Sequence, residues 1–302
     1  MHGILNINKP AGPTSHDIVA KVRRILKEKR VGHTGTLDPM AVGVLVVCVG
    51  KATRIVEYLV GQEKEYSAEL VLGRTTTTQD AEGTETSSAN ASHITPEMVE
   101  EALSKFRGQI MQVPPMVSAV KHEGKRLYEL ARKDIEVERK PRQVTIYELE
   151  MTGFILGDRP VVGLRVVCSS GTYIRTLCAD IGEALGVGGY MKSLVRNRVG
   201  TFRLEDSISL DELQQAAEEG RAEQLMVSMD EALASMPSVD VDSFGEKMIA
   251  RGVTVAVAGS GNENELVRVR SESGELLAVG RLHLRGAASV VKPEKVFAEA
   301  GQ

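Results

Sequence analysis

Asp38 is the residue in this chain of 302 best placed to do chemistry. It stands near the end of Gly32-His33-Thr34-Gly35-Thr36-Leu37-Asp38-Pro39, a polar stretch whose glycines let the backbone come close to a ligand. Pro39 pushes Asp38 towards extended dihedrals and keeps its carboxylate out of a helix. Two further groups have suitable chemistry: Tyr66, just inside a strand that opens at Lys64-Glu65, and Arg175, at the start of a helix behind a Ser-Ser-Gly turn. An arginine beside a single aspartate keeps it ionised at neutral pH, lowering its pKa by roughly one to three units. An ionised carboxylate suits a nucleophile better than a general acid. Taken alone, Gly-Thr-Leu-Asp-Pro reads first as a turn, and the rest of the chain decides between the two.

Several other chemistries are absent. There is no Walker sequence, no G-x-G-x-x-G, no G-x-S-x-G, no H-E-x-x-H and no His and carboxylate cluster at metal-ligand spacing. Cys48 and Cys168 lie in apolar, strand-like runs and Cys178 on a helical stretch, with no C-x-x-C pair, so they read as reduced and buried and no zinc site is expected. A hydrophobic content of 42% with 26% charge is ordinary for a globular protein. No apolar run is long enough to cross a bilayer, and Met1-His2-Gly3-Ile4-Leu5-Asn6 lacks the features of a signal peptide, which leads to an expectation of cytoplasmic residence.

The net charge of −4 hides an uneven distribution. Residues 1–60 carry nine Lys/Arg against four Asp/Glu and residues 104–145 ten against five, whereas residues 205–231 hold nine acids and one Arg. That asymmetry fits one basic face for a polyanion and a solvated acidic back. On charge alone, ordinary solvated surface is an equal reading.

The elements that must position these groups follow from spacing. Gly3–Ile7 reads as a strand, and Thr14 or Ser15 caps a helix reaching about Lys29 that buries Ile18, Val22, Ile25 and Leu26. Val42–Val49 reads as a buried strand, and Ile55, Val56 and Leu59 share a face of a short helix. From Lys64 the period is two, with Tyr66, Ala68, Leu70 and Leu72 inward. Residues 74–93 read as a polar loop, Thr95-Pro96 as the start of a helix to about Phe106, and 144–155 and 161–168 as strands. A basic segment runs from Val113 through Lys121, Lys125, Arg126 and Tyr128 to Arg142. A helix carrying Tyr173 and Arg175 continues through Leu177, Ile181 and Leu185 to Gly186, with free amides at its start that suit a phosphate or carboxylate. A basic element, Leu194–Gly200, and an acidic helix from Ser209 follow. Near Pro237 the texture changes to alternating, glycine-punctuated sequence, read as a small β-rich domain with Gly252, Gly259, Gly261, Gly274, Gly280 and Gly286 at turns, removable without exposing the main core.

Four stretches occur in an order that resembles the TruB family, the bacterial tRNA pseudouridine-55 synthases: Asn8-Lys9-Pro10-Ala11-Gly12-Pro13-Thr14-Ser15, then Val31–Pro39, then Lys64-Glu65-Tyr66, then Cys168-Ser169-Ser170-Gly171-Thr172-Tyr173-Ile174-Arg175-Thr176-Leu177. The match covers residues 3 to about 205. The tail is similar to a PUA domain, a small RNA-binding β-barrel, through its glycine spacing and the ending Val291–Phe297. The resemblance implies an α+β fold: a mixed, largely antiparallel sheet in a catalytic domain of pseudouridine synthase type over residues 1–236, with flanking helices and RNA-binding loops, and a β-rich PUA-like domain over 237–302. It implies isomerisation of a uridine in the T-loop of tRNA, with no cofactor and no metal, by a monomer that needs no protein partner and no membrane.

By motif, Asp38 would be the catalytic carboxylate and Arg175 its partner. Tyr66 would stack on the uracil and help remove the C5 proton, Tyr173 and Leu194 would line the uracil pocket, and His33 would pack against the RNA vacated by the flipped base, since a base in a folded loop must leave its stack before its glycosidic bond is reached. Each has a plainer rival: a backbone-bonded loop histidine for His33, a core tyrosine for Tyr66, a core leucine on a helix face for Leu194, and a cap or phosphate ligand for Arg175. Lys9 and Pro10 are expected to shape their loop rather than touch substrate. Met40-Ala41-Val42 and Asn197 depart from the family's usual residues without touching a proposed catalytic group. Two other classes remain: an RNA-binding or scaffold protein of the same fold without turnover, and a hydrolase using Asp38, for which no motif supplies a second carboxylate.

Overall fold

The computed structural model describes residues 1–298 except 119, 123, 132, 134, 259, 260, 286 and 287, and of residues 121, 122, 125, 126, 128, 131 and 288 it describes the backbone only. The side chains of Lys121, Lys125, Arg126 and Tyr128, and Gly259 and Gly286, therefore lie outside the described residues. In order, the elements are β1 (Gly3–Lys9), α1 (Ser15–Leu26), β2 (Val31–His33), β3 (Val42–Val49), α2 (Val56–Val60), β4 (Lys64–Leu72), β5 (Arg74–Thr76), β6 (Glu85–Ser88), α3 (Pro96–Ser104) and β7 (Gly108–Gln112). Then come β8 (Lys121–His122), β9 (Lys125–Arg126), α4 (Leu127–Ala131), β10 (Arg142–Ile155), β11 (Val161–Cys168), α5 (Ile174–Ala184), β12 (Gly189–Val199) and β13 (Phe202–Arg203). The last part holds α6 (Leu210–Glu218), α7 (Met229–Ala232), β14 (Ser238–Val241), α8 (Ser243–Ala250), β15 (Val255–Val257), β16 (Leu266–Ser271), β17 (Leu276–Arg285) and β18 (Ala288–Val296).

The main sheet runs β1-β3-β12-β4-β11-β10-β7, with β2 on β3 and β13 on β12. Only β12 against β3 is parallel; the other pairings in this sheet are antiparallel. This is the mixed, largely antiparallel α+β fold that the motifs imply. β3 is apolar throughout because both its faces are covered. Leu45, Val47 and Val49 pack with Leu5, Ile7 and the α1 residues Ile18, Val19 and Val22, while Val44, Val46 and Cys48 pack with Ile4, Ile55 and Leu59. β4 alternates because one face meets the core and the other meets water: Tyr66, Ala68, Leu70 and Leu72 join Leu177 and Ile181 of α5 and Val99 and Leu103 of α3. Glu65 on the outward face pairs instead with Arg165 and Arg198. α1 starts at an N-cap Thr14 whose hydroxyl accepts from Asp17 N while Asp17 returns the contact, and it ends at Lys27 in the left-handed region, two residues before the expected stop.

Four readings need correction. Residues 74–93 are not only loop: β5 pairs with β6 in a hairpin, built from hydroxyl side chains that carry no hydrophobic period. Tyr173 precedes α5 as its N-cap rather than lying in the helix. The element holding Leu194 is the sheet strand β12, so this leucine is on no helix face. The tail is the five-stranded sheet β14-β16-β17-β18-β15 with the additional helix α8. It is not removable without exposing the core, because Leu276, Val279 and Phe297 are buried in the same cluster as Ile4, Val44, Ile55, Leu59, Val199 and Phe202. Arg54 also donates to Val296 O (2.5 Å) and stacks on Phe297, and Lys295 pairs with Glu57.

Candidate active site

The Asp38 loop is fixed by buried polar groups that reach it from three elements. Ser15, at the start of α1, accepts from Leu37 N (2.8 Å) and donates to Leu37 O (3.1 Å). Lys9, at the end of β1, is fully buried, and its ammonium donates to Pro10 O (3.0 Å), Pro39 O (3.0 Å) and Ala41 O (2.7 Å). Arg196 of β12, also buried, donates to Val44 O (2.7 Å), Gly35 O (3.1 Å) and Thr36 O (3.3 Å). Lys9 thus satisfies three carbonyls, and Arg196 two, that sharply folded loops leave without strand partners, and Arg196 is tied as well to β3 through Val44 O. Lys9 therefore shapes the loop, as its motif suggested. Burial lowers its pKa to about 8, with Asp38 opposing and Arg196 reinforcing the shift.

Arg175 enters from the first turn of α5. Its side chain is 4% exposed and Nη2 lies 3.2 Å from Asp38 Oδ1. Nη1 lies 3.4 Å from Asp80 Oδ2, and Asp80 is 3% exposed. Nη2 also donates to Val117 O at 2.6 Å. Asp80 accepts from Thr78 Oγ1 (2.5 Å) and Glu82 N (3.1 Å) through its other oxygen. Asp80 is the main residue the sequence reading missed. It sits in a threonine-rich turn whose pattern announces a loop, and only the tertiary structure brings it to Arg175.

Sharing one guanidinium between two carboxylates changes the electrostatics expected for Asp38. Its pKa is raised, not lowered: burial is the largest cause, Asp80 adds to it, and Arg175, Lys9 and Arg196 oppose it. The carboxylate keeps 30% of its side-chain surface exposed, and that open part faces a cavity of about 250 Å³. Arg175, Tyr66, Tyr173 and Leu194 line the same cavity, with Gly35, Lys64, Ser118, Ser170, Gly171, Thr172 and Arg196 among their neighbours. His33 does not line it; it stands beside Thr34 with its ring edge against His16, centroids 5.2 Å apart. Burial lowers the His33 pKa to about 4, so the ring is neutral at pH 7.

Each aromatic has a definite support. Tyr66 comes off β4 opposite Val166 and Arg196, and burial raises its phenol pKa, with Arg196 the main opposing charge. The Tyr173 backbone is held by Gln112 at the end of β7, which accepts from Tyr173 N (2.8 Å) and donates to Tyr173 O (3.0 Å). Lys64 donates to Val60 O (3.1 Å) and Gln62 O (2.8 Å), and burial brings its pKa to about 8. Gln112, Lys64 and Arg196 were not assigned roles from the sequence, where buried, carbonyl-bonded side chains look like surface. The three cysteines are free and buried, with thiol pKa values pushed up by burial to about 12 for Cys48 and Cys178 and about 11 for Cys168.

A loop carboxylate held by a helix arginine thus stands over a tyrosine-lined cavity in a mixed sheet, and the chain carrying it is similar to pseudouridine synthases. Residues 23–174 match the TruB family pseudouridylate synthase (N terminal domain), and residues 175–237 match the tRNA pseudouridylate synthase B C-terminal domain. The chain is 44% identical over 298 residues to the tRNA pseudouridine synthase B of Heliobacterium modesticaldum, covering 98% of this chain and 96% of that protein. It is 52% identical over 255 residues to that of Symbiobacterium thermophilum, covering 84% and 83%. Among solved structures, a chain of a Cbf5-Nop10-Gar1 complex superposes with a TM-score of 0.77 at 30% identity, over 99% of this chain and 85% of that chain. The chain belongs to the TruB family.

Proposed function

We propose that this protein binds tRNA, extrudes a uridine of the T-loop into the cavity beside Asp38 and converts it to pseudouridine. The conversion breaks the bond from C1′ to N1, turns the uracil and forms a bond from C1′ to C5; the C5 proton is lost and N1 gains one, so the step is an isomerisation with no net redox change. The observation that carries this reading is the Asp38 carboxylate, held by Arg175 and open to a cavity that Tyr66 and Tyr173 also line. Asp38 is the catalytic carboxylate, and Arg175 and Lys9 hold it in place. Tyr66 stacks on the uracil, Tyr173 and Leu194 complete the pocket, and His33, neutral and outside the cavity lining, contacts the RNA from which the base has left.

Residues 1–236 form the catalytic domain and 237–302 a PUA-like domain that extends the grip on tRNA. The protein acts as a monomer in the cytoplasm, a reading supported by its tRNA substrate and by three unbridged, buried cysteines. A hydrolase is disfavoured because Asp80, the second carboxylate, lies behind Arg175 and does not line the cavity. A binding protein without turnover is disfavoured because Asp38, Arg175 and Tyr66 all converge on one cavity. Incubating the protein with unmodified tRNA transcript and mapping pseudouridine by chemical sequencing tests the reading: modification confined to the T-loop uridine supports it, and an unmodified T-loop refutes it.

A further inference from the structure

Most polar groups around the cavity already have partners. Arg196 and Lys64 donate to backbone carbonyls, and Thr172 donates to Ser169 O (3.0 Å). Ser118 differs. It lines the cavity, it is 6% exposed, and its Oγ is buried with no hydrogen-bond partner among the described residues. The backbone fixes it there: Ser118 N donates to Met116 O (3.0 Å), and the preceding carbonyl, Val117 O, accepts from Arg175 Nη2 (2.6 Å). Among the described cavity-lining residues, the other buried side-chain atom in this state is Arg175 Nε. Leaving a buried hydroxyl unpaired is destabilising, so a hydroxyl held at this position suits a partner that arrives with the substrate.

We propose that Ser118 is a substrate-binding residue whose hydroxyl donates to a carbonyl oxygen of the target uracil. This rests on the function proposed above. Exchanging N1 for C5 as the point of attachment turns the ring about its N3–C6 axis, and that turn exchanges the positions of the C2 and C4 carbonyls. A donor aimed at one of these positions meets an acceptor oxygen both before the base leaves C1′ and after it rejoins. The lysines and arginines lining the site are committed to fixed carbonyls or carboxylates, whereas a serine hydroxyl swings on one torsion and follows the ring. Arg175 then positions two things at once, the Asp38 carboxylate and, through Val117, the Ser118 hydroxyl.

The test compares Asp38→Asn with Asp38→Asn/Ser118→Ala for binding to a T-arm RNA that carries either uridine or an abasic ribose at the target position. The expected result is a weakening of about 5- to 30-fold on the uridine RNA, the worth of one buried hydrogen bond, and none on the abasic RNA. Ser118→Ala in the otherwise intact protein should melt at the same or a higher temperature, and Ser118→Thr should restore most of the kcat/KM that Ser118→Ala loses. Equal weakening on both RNAs, no weakening on either, or a fall in melting temperature that accounts for the activity loss would overturn the proposal. Pseudouridine formation by the unaltered protein is measured alongside: activity there with a null Ser118 result removes only this proposal, and no activity there removes the functional reading and this proposal with it.

Discussion

Arg175 divides its guanidinium between two carboxylates, with Nη2 on Asp38 and Nη1 on Asp80, while Asp80 is ten times less exposed than Asp38 (3% against 30%). The buried aspartate anchors the arginine and the exposed one is presented to the cavity. Burial is the main reason the Asp38 pKa is raised, and the neighbouring Asp80 charge adds to it against the opposing pull of Arg175.

Asp38→Asn should abolish pseudouridine formation and leave tRNA affinity close to wild type, because the loop is held by Ser15, Lys9 and Arg196 through backbone atoms that the substitution does not touch. Its stability has a defined pH dependence. A carboxyl whose folded pKa is raised above 3.8 favours the folded state below that ordinary value, and the advantage is lost as pH rises through the folded pKa. Asparagine has no charge to desolvate, so the variant should melt above the wild type at pH 7, and the gap should close as pH falls below 4 or so. Residual turnover near the wild-type rate would remove Asp38 from the chemistry, and a variant less stable than wild type at pH 7 would contradict the electrostatics.

Asp80→Asn tests the anchor. Removing the charge takes away a charge-assisted hydrogen bond, worth roughly 1.5–3 kcal/mol, and frees a buried arginine to shift away from Asp38. Denaturant unfolding should show that loss of stability, and kcat should fall on the order of ten- to a hundredfold with KM little changed, as expected when a catalytic group is misplaced. Unchanged kcat would mean that Asp38 and Val117 alone position Arg175.

How far the sequence was legible depends on where each residue finds its partners. Thr14 with Asp17, the two-residue period from Tyr66 to Leu72, and the Ser-Ser-Gly turn before Arg175 are local patterns, and each appears in the structure where expected. Asp80 and Arg175 are 95 positions apart, and nothing in Thr75-Thr76-Thr77-Thr78-Gln79-Asp80 signals burial. Lys9 shapes its loop as its motif implied, whereas Arg196 stood in a basic element with no role assigned, and it is buried because it satisfies the loop carbonyls of Gly35 and Thr36. The lowered Asp38 pKa expected from one arginine failed because the burial of the loop carboxylate, which the sequence does not show, outweighs Arg175, with Asp80 adding to the rise.

The C-terminal sheet should be structurally required by the rest of the chain. Leu276 is buried in the cluster that includes Ile4, Val44 and Leu59, so Leu276→Ala should cost about 2–5 kcal/mol and lower the melting temperature of the whole protein in one transition. A chain ended at residue 236 should be less soluble and less stable than the full protein, as it uncovers the apolar faces that meet Leu276, Val279 and Phe297. A residue 1–236 fragment with wild-type melting behaviour would show that the shared cluster contributes nothing to the main fold.

Tyr66 provides the sharpest separation of binding from chemistry. Its ring comes from the inward face of β4, lines the cavity and is 6% exposed, and burial keeps its phenol protonated by raising its pKa. A stacked aromatic ring contributes roughly 1–3 kcal/mol per base, whereas a hydroxyl that takes part in moving the C5 proton acts on rate, with an effect on the order of a hundredfold or more. Tyr66→Phe keeps the ring and removes the hydroxyl; Tyr66→Leu removes both. The phenylalanine variant should bind tRNA normally and turn over slowly, and the leucine variant should be worse in KM as well as in kcat. Because the folded pKa is raised, no loss of wild-type activity from phenol ionisation is expected below pH 10, so an activity decline well below that pH must come from another group. Wild-type turnover by Tyr66→Phe would reduce Tyr66 to a stacking platform, and wild-type turnover by Tyr66→Leu would make it a core residue and put the uracil elsewhere in the cavity.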